Sequence, residues 1–143
     1  MKIKIIILIM TVFFAGCDNH DVNDAVTEVA RFHSMYNTKE FNGIYDAMLT
    51  NEFRNSMPKS SYVKFMSQTY NIIGAYDGST LKKSNQVKSL IGNEKIELTY
   101  NSTYEEYNID EFFILEKESG VYKIKKIVYD DINAIKKENI KSR

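Results

Sequence analysis

The chain has 143 residues with 19 basic and 19 acidic side chains, a formal net charge of zero, ten tyrosines, eight phenylalanines and no tryptophan. This length favours one domain, large enough to bury about two-thirds of its unfolded surface in a core that needs no staples. The lack of a basic excess excludes a nucleic-acid partner, the single cysteine excludes an internal disulfide, and one proline with six glycines leaves little room for linkers or low-complexity segments.

Residues 1–16 read as a secretory signal: Lys2 and Lys4, the run Ile5-Ile6-Ile7-Leu8-Ile9-Met10, then small residues. The run is too short to span a hydrocarbon core of about 30 Å, which takes roughly 20 residues. It closes on Phe14-Ala15-Gly16-Cys17, which resembles the bacterial lipoprotein box, commonly Leu-(Ala/Ser)-(Gly/Ala)-Cys, with Phe14 where leucine is commonest. The resemblance implies cleavage between Gly16 and Cys17, diacylglycerol on the Cys17 thiol and usually a third chain on its amine. At about 0.8 kcal/mol per buried methylene, two or three acyl chains make such an anchor permanent. Asp18 resembles the signal that retains enteric lipoproteins in the inner membrane, so a periplasm-facing inner-membrane anchor is expected over an outer one. The expected division is a signal over 1–16, a tether over 17–23, a domain over 24–131 and a basic tail over 132–143. Such a tether reaches about 20 Å, at 3.3–3.6 Å per residue.

The spacing of Ala25, Val26, Val29, Phe32, His33 and Tyr36 predicts a first helix over Asn23–Tyr36 with one apolar stripe. Asn37-Thr38 breaks it and supplies an N-cap for a second helix carrying Phe41, Ile44, Tyr45, Met48 and Leu49, weakened by Gly43. Thr50–Met57 reads as an irregular extra turn stopped by Pro58. A third helix, capped by Ser60 or Ser61, places Tyr62, Phe65, Met66, Thr69, Tyr70 and Ile73 on one face and ends at Gly74.

The period then changes to two. Leu81–Ile91 reads as a polar edge strand and Gly92-Asn93 as a hairpin turn. In Lys95–Tyr107 the residues Ile96, Leu98, Tyr100, Ser102 and Tyr104 share one face. A turn around Asn108-Ile109-Asp110 leads to Glu111–Lys117, whose Phe112-Phe113-Ile114-Leu115 is apolar on both faces. Ser119-Gly120 turns into Val121–Tyr129. The tail from Asp130, acids first and Lys136, Lys137, Lys141 and Arg143 last, has the polarity of a short, fraying helix.

Three helices on one face of a curved four-stranded antiparallel meander is an α+β plan. The order, the aromatic helices, the long strand and the closing Glu118-Ser119-Gly120-Val121-Tyr122-Lys123-Ile124 resemble the nuclear-transport-factor-2-like superfamily. There the last strand recurs as Asp-Gly-X-Trp-(Lys/Arg)-Ile/Val, with Tyr122 standing here for tryptophan. The resemblance implies a cone with a cavity between helices and sheet. It implies no particular activity, because the superfamily holds isomerases, dehydratases, cyclases, scaffolds and binding modules.

Acid–base members of that superfamily place an aspartate or histidine inside the cone near a tyrosine. Here the long strand's inward set holds no carboxylate, and the first acid in its phase is Glu106, near the cone's mouth. His33 is the one titratable base on a buried stripe. The cavity lining is expected to be His33, Tyr36, Tyr100 and Tyr104, and a catalytic site, if present, to combine His33, Tyr100, Tyr104 and Glu106. No metal or cofactor is expected: His20 and His33 lack ligand spacing, and the paired acids lack a calcium-loop pattern. The acid pairs Glu105-Glu106, Asp110-Glu111 and Asp130-Asp131 read as a solvated rim. The principal expectation is a non-catalytic, membrane-anchored binding or interaction module. Its contact surface would be Phe112, Phe113 and Ile114 on the sheet, meeting a second copy or an envelope protein. The alternative is a small-molecule enzyme centred on His33.

Overall fold

The computed structural model describes residues 20–137, without the side chains of residues 131–133. Gly16, Cys17, Asp18 and the end of the tail lie outside the described residues. Four helices, α1 (His20–Asn37), α2 (Phe41–Met48), α3 (Asn51–Ser56) and α4 (Lys59–Ile73), precede four strands, β1 (Tyr76–Val87), β2 (Lys95–Tyr104), β3 (Tyr107–Glu118) and β4 (Val121–Lys136). The strands form a curled antiparallel meander in the order β1-β2-β3-β4, so β1 is an edge as its polarity implies. A parallel bridge between Leu49 and Ile124 adds a stub beside β4.

Helix α1 starts three residues before the apolar stripe suggests, because its first turn is held by side chains. Lys117 donates to Asp21 at 2.9 Å and His20 pairs with Asp24 at 3.1 Å. The polar stretch expected to be tether is therefore partly helix. Its other end is closed by the backbone rather than by a cap on the next helix. The Lys39 amide donates to Tyr36 O and the Glu40 amide to Met35 O, with Lys39 at φ 58°. That is the Schellman pattern. Thr38 turns back onto the Ser34 and Met35 carbonyls and Glu40 instead of capping α2. Gly43 fits here because a Cβ would lie 2.8 Å from Met35 Cε of α1.

The expected irregular turn is a true short helix, α3, whose first turn is capped by Thr50 Oγ1 accepting from the Phe53 amide at 3.2 Å. Helix α4 follows directly from Pro58, without a serine cap. Pro58 has no N–H to leave unsatisfied and its φ of −58° suits the entry into a helix. Gly74 ends α4 at φ 81°, with its would-be Cβ only 2.5 Å from Glu105 Cβ.

Strand β1 begins earlier than expected, at Tyr76, and stops at Val87. Residues 88–94 form a longer loop rather than a two-residue turn, and it leaves Leu90 and Ile91 exposed. Strand β2 ends at Tyr104, and Glu105-Glu106 make the turn, so β3 already includes 107–110. The described part of the tail is strand rather than helix: β4 continues through Lys136, pairing Ile135 with Asn108. Extra residues in β1 around Asp77 and Lys82, and in β4 around Lys125 and between Asp130 and Ile135, break the ladders. Bulges of this kind bend strands and increase their twist, which is how a short sheet curls over a helix.

The core lies between that concave face and α1, α2 and α4. It includes Phe32, Tyr36, Ile44, Met48, Leu49, Tyr62, Met66, Ile96, Leu98, Tyr104, Phe113, Leu115 and Ile124, all essentially inaccessible. Burial of each large apolar side chain contributes about 1.5–3 kcal/mol against a similarly large entropy cost. Phe65, expected inside, is 47% exposed, because α4 turns that side toward the rim of the sheet.

Candidate functional site

The shorter β2–β3 turn sets the phase of β3. Ile109, Glu111, Phe113 and Leu115 face the core, while Asp110, Phe112 and Ile114 alternate with them. Glu111 is thus fully buried between Tyr100 of β2 and Tyr129 of β4, its ladder neighbours. It is not part of a solvated acid pair. His33 descends from α1 onto it with Nε2 2.9 Å from Oε2. The Ser102 hydroxyl donates to the same oxygen, and the Tyr104 hydroxyl donates to Oε1 at 2.5 Å. Diagonal cross-strand neighbours meet on one face of an antiparallel pair, which brings Ser102 to Glu111 across β2–β3.

Aromatic rings enclose this group. Tyr76 stacks on the imidazole at a centroid distance of 3.9 Å and an angle of 3°. Phe32, Tyr100 and Phe113 meet it edge-on at 5.4, 6.5 and 5.8 Å. Burial raises the Tyr36, Tyr76, Tyr100, Tyr104 and Tyr129 hydroxyls above their ordinary range, Tyr100 to about 12, and the Glu111 charge adds to each. These phenols stay protonated at neutral pH; Tyr36, Tyr76 and Tyr104 donate, to Gly74 O, Ser79 Oγ and Glu111 Oε1.

Of the expected cavity residues, His33 and Tyr100 border a pocket of about 300 Å³ between α1 and β1, together with Tyr76, Ser79 and Leu81. Tyr36 and Tyr104 fill the core beneath the curled sheet instead. Both are fully buried, in edge contact at 5.6 Å, and Tyr36 donates to Gly74 O at 3.0 Å. The carboxylate that meets His33 is Glu111, not Glu106. Glu106 sits in the β2–β3 turn, its amide donating to Ile73 O and its carbonyl accepting from the Lys137 amide. Of the expected contact surface, Phe113 is core, against Phe32 and His33. Phe112 and Ile114 remain half-buried on the other face, paired with Val128 and Lys126.

An apolar opening larger than the His33 pocket has no counterpart among the residues expected from the sequence. A groove of about 670 Å³ lies between α4 and the β3–β4 edge, lined by Phe65, Thr69, Ile72, Ile73, Tyr107, Ile109, Ile127, Val128, Tyr129 and Ala134. Phe65 and Ile72, 47% and 63% exposed, form its rim. The β4 stretch between Asp130 and Ile135 leaves the ladder beside it. The signal was Ile72-Ile73 at the end of α4, one of which had to lie off the buried face.

Among the described residues, only His20, Asp21 and Asp24 bring three potential metal-ligand atoms within 4.8 Å. They are on the surface, and Asp21 already accepts from Lys117. No helix among the described residues is long and apolar enough to cross a membrane. Comparison with protein-family models gave no match, and comparison with curated proteins gave none either.

Proposed function

We propose that the protein is a membrane-anchored bacterial lipoprotein, acylated at Cys17, whose nuclear-transport-factor-2-like cone is a non-catalytic binding module for an apolar small molecule. The observation that carries this reading is the contrast between its sealed polar cluster and its open apolar groove. The Glu111 carboxylate accepts from His33, Ser102 and Tyr104 and is wholly enclosed. Fully buried, it presents no accessible oxygen to a substrate proton. The groove beside α4 is open, has about 670 Å³ of space and is walled mainly by aliphatic and aromatic side chains. Small-molecule sites commonly have this size and lining.

Titration with the apolar fluorophore N-phenyl-1-naphthylamine tests the binding role. Wild type should give saturable emission. Ile72→Glu, on the exposed rim, should weaken binding roughly tenfold, equivalent to about 1.4 kcal/mol. His33→Gln, if folded, should leave it unchanged. Loss with His33→Gln and none with Ile72→Glu would overturn the assignment. The intact mass of the protein from its native membrane tests acylation of Cys17.

One observation favours a second reading. The pocket of about 300 Å³ beside His33 would admit a small substrate to the imidazole, with Tyr100 as donor. An enzyme of that kind would lose turnover in His33→Gln while retaining it in Ile72→Glu.

A further inference from the structure

Hairpin tips of soluble domains are usually polar, and large exposed apolar groups mark a contact. The β1–β2 loop, residues 88–94, breaks that pattern. Leu90 and Ile91 stand next to each other, essentially fully exposed, and Val121 of the neighbouring β3–β4 hairpin is 51% exposed.

Their position connects them to the chain's start. Asn93 of the loop donates to Glu116 at 2.8 Å, and Asp21 in the first turn of α1 accepts from Lys117 at 2.9 Å. Glu116 and Lys117 are consecutive on β3, so the loop and the start of α1 share one end of the sheet. A surface pocket between Asp24, Thr27 and Glu28 of α1 and Gly120, Val121 and Tyr122 joins the second hairpin to that end. Cys17 lies only three residues before His20, a reach of at most about 11 Å. The groove lies at the other end of β3. Nine residues separate Ile109 from Glu118, about 30 Å along a strand.

We infer that this end of the domain rests on the bilayer, with Leu90 and Ile91 inserted into the acyl-chain boundary and the groove held away from it. The inference rests on the reading of Cys17 as lipidated. A tether this short forces the start of α1, and with it the loop, against the lipid surface. The acids at this end are engaged within the protein: Glu94 by Gln86, Glu116 by Asn93 and Lys125, Glu118 by the Asn51 amide and Asp21 by Lys117. Lys88 is exposed two residues before Leu90, where an ammonium can meet anionic headgroups while the aliphatic side chains go deeper.

The absence of tryptophan makes the test direct. Two single-tryptophan variants of the full-length protein are purified with their lipid and reconstituted in phosphatidylethanolamine–phosphatidylglycerol vesicles. One is Leu90→Trp; the control is Ile135→Trp, on β4 beside Asn108 at the opposite end of β3. A second vesicle set carries brominated acyl chains. The indole of Leu90→Trp should emit further to the blue and be strongly quenched by bromine, whereas that of Ile135→Trp should keep solvent-like emission. A lipidated Leu90→Trp protein whose indole stays solvent-like and unquenched overturns the inference alone. An intact mass without acyl chains overturns the lipoprotein reading, and this inference with it.

Discussion

Glu111 and Ile109 lie two residues apart on the same face of β3, yet they belong to regions built by opposite rules. Around Glu111 the interior closes: a carboxylate meets three donors, and rings pack around the imidazole that reaches it beside the small α1–β1 pocket. Around Ile109 the interior opens, because β4 leaves the ladder there and α4 presents Phe65 and Ile72 at a rim instead of packing down. Polar groups in a low-dielectric interior must be fully satisfied, so they demand closure. Apolar walls tolerate exposure at modest cost and can wait for a ligand. The difference separates what holds this fold together from what is available to bind.

The comparison is broken most severely at the carboxylate. Glu111→Ala removes the one acceptor shared by His33, Ser102 and Tyr104, and urea unfolding should show a loss of about 3–5 kcal/mol. If the variant does not fold, Glu111→Gln, which keeps the shape, should show a smaller loss of the same sign. A change below about 0.5 kcal/mol would mean that the cluster is not sealed. Tyr104→Phe is the milder version. It deletes one hydrogen bond to a charged group and should cost about 1.5–3 kcal/mol by the same measurement.

Alkaline pH acts on the closed region through its phenols. Burial raises Tyr36, Tyr100 and Tyr104, so the folded chain keeps protons that the unfolded chain releases near pH 10. Their contribution is complete below pH 10 and declines as pH rises through the folded values, about 12 for Tyr100. The slope is up to about 1.4 kcal/mol per pH unit for each such tyrosine. Urea midpoints should therefore fall between pH 9 and pH 11, and Tyr100→Phe should reduce the fall. A flat profile would contradict the enclosure of these hydroxyls. The smallest expected effect belongs to the open region: Ile72→Ala should change stability by no more than about 0.5 kcal/mol while weakening the fluorophore.

The sequence carried the periodic parts of this picture well. The inward set Ile96, Leu98, Tyr100, Ser102 and Tyr104 is the buried face of β2, and the stripe from Ala25 to Tyr36 is the buried face of α1 except for the half-buried Val26. His33 was visible as a base on that stripe. Its partner was not, because turn position decides strand phase and one turn was misplaced. With the turn at Asn108–Asp110, Glu111 reads as one of two rim acids. With the turn at Glu105-Glu106, the alternation Ile109, Glu111, Phe113, Leu115 puts it inside. A one-residue change of phase exchanges the faces of a whole strand, which also moved Phe113 from an expected contact surface into the core. The signal was the buried histidine itself, which needs a hydrogen-bonding partner. The groove left less trace, since it depends on where β4 departs from its ladder, a tertiary feature with no periodic mark in the chain.

The central claim is that the open apolar region, not the sealed His33–Glu111 cluster, receives the ligand. Isoleucine methyl NMR tests it most directly. Ile72, Ile73, Ile109 and Ile127 line the groove, whereas Ile44, Ile96 and Ile124 are wholly buried and border neither opening. With N-phenyl-1-naphthylamine added to the domain, the four groove methyls should shift together and saturably while the His33 ring protons and the other three methyls hold still. Shifts centred on the His33 and Tyr100 rings, with the groove methyls unmoved, would contradict the account.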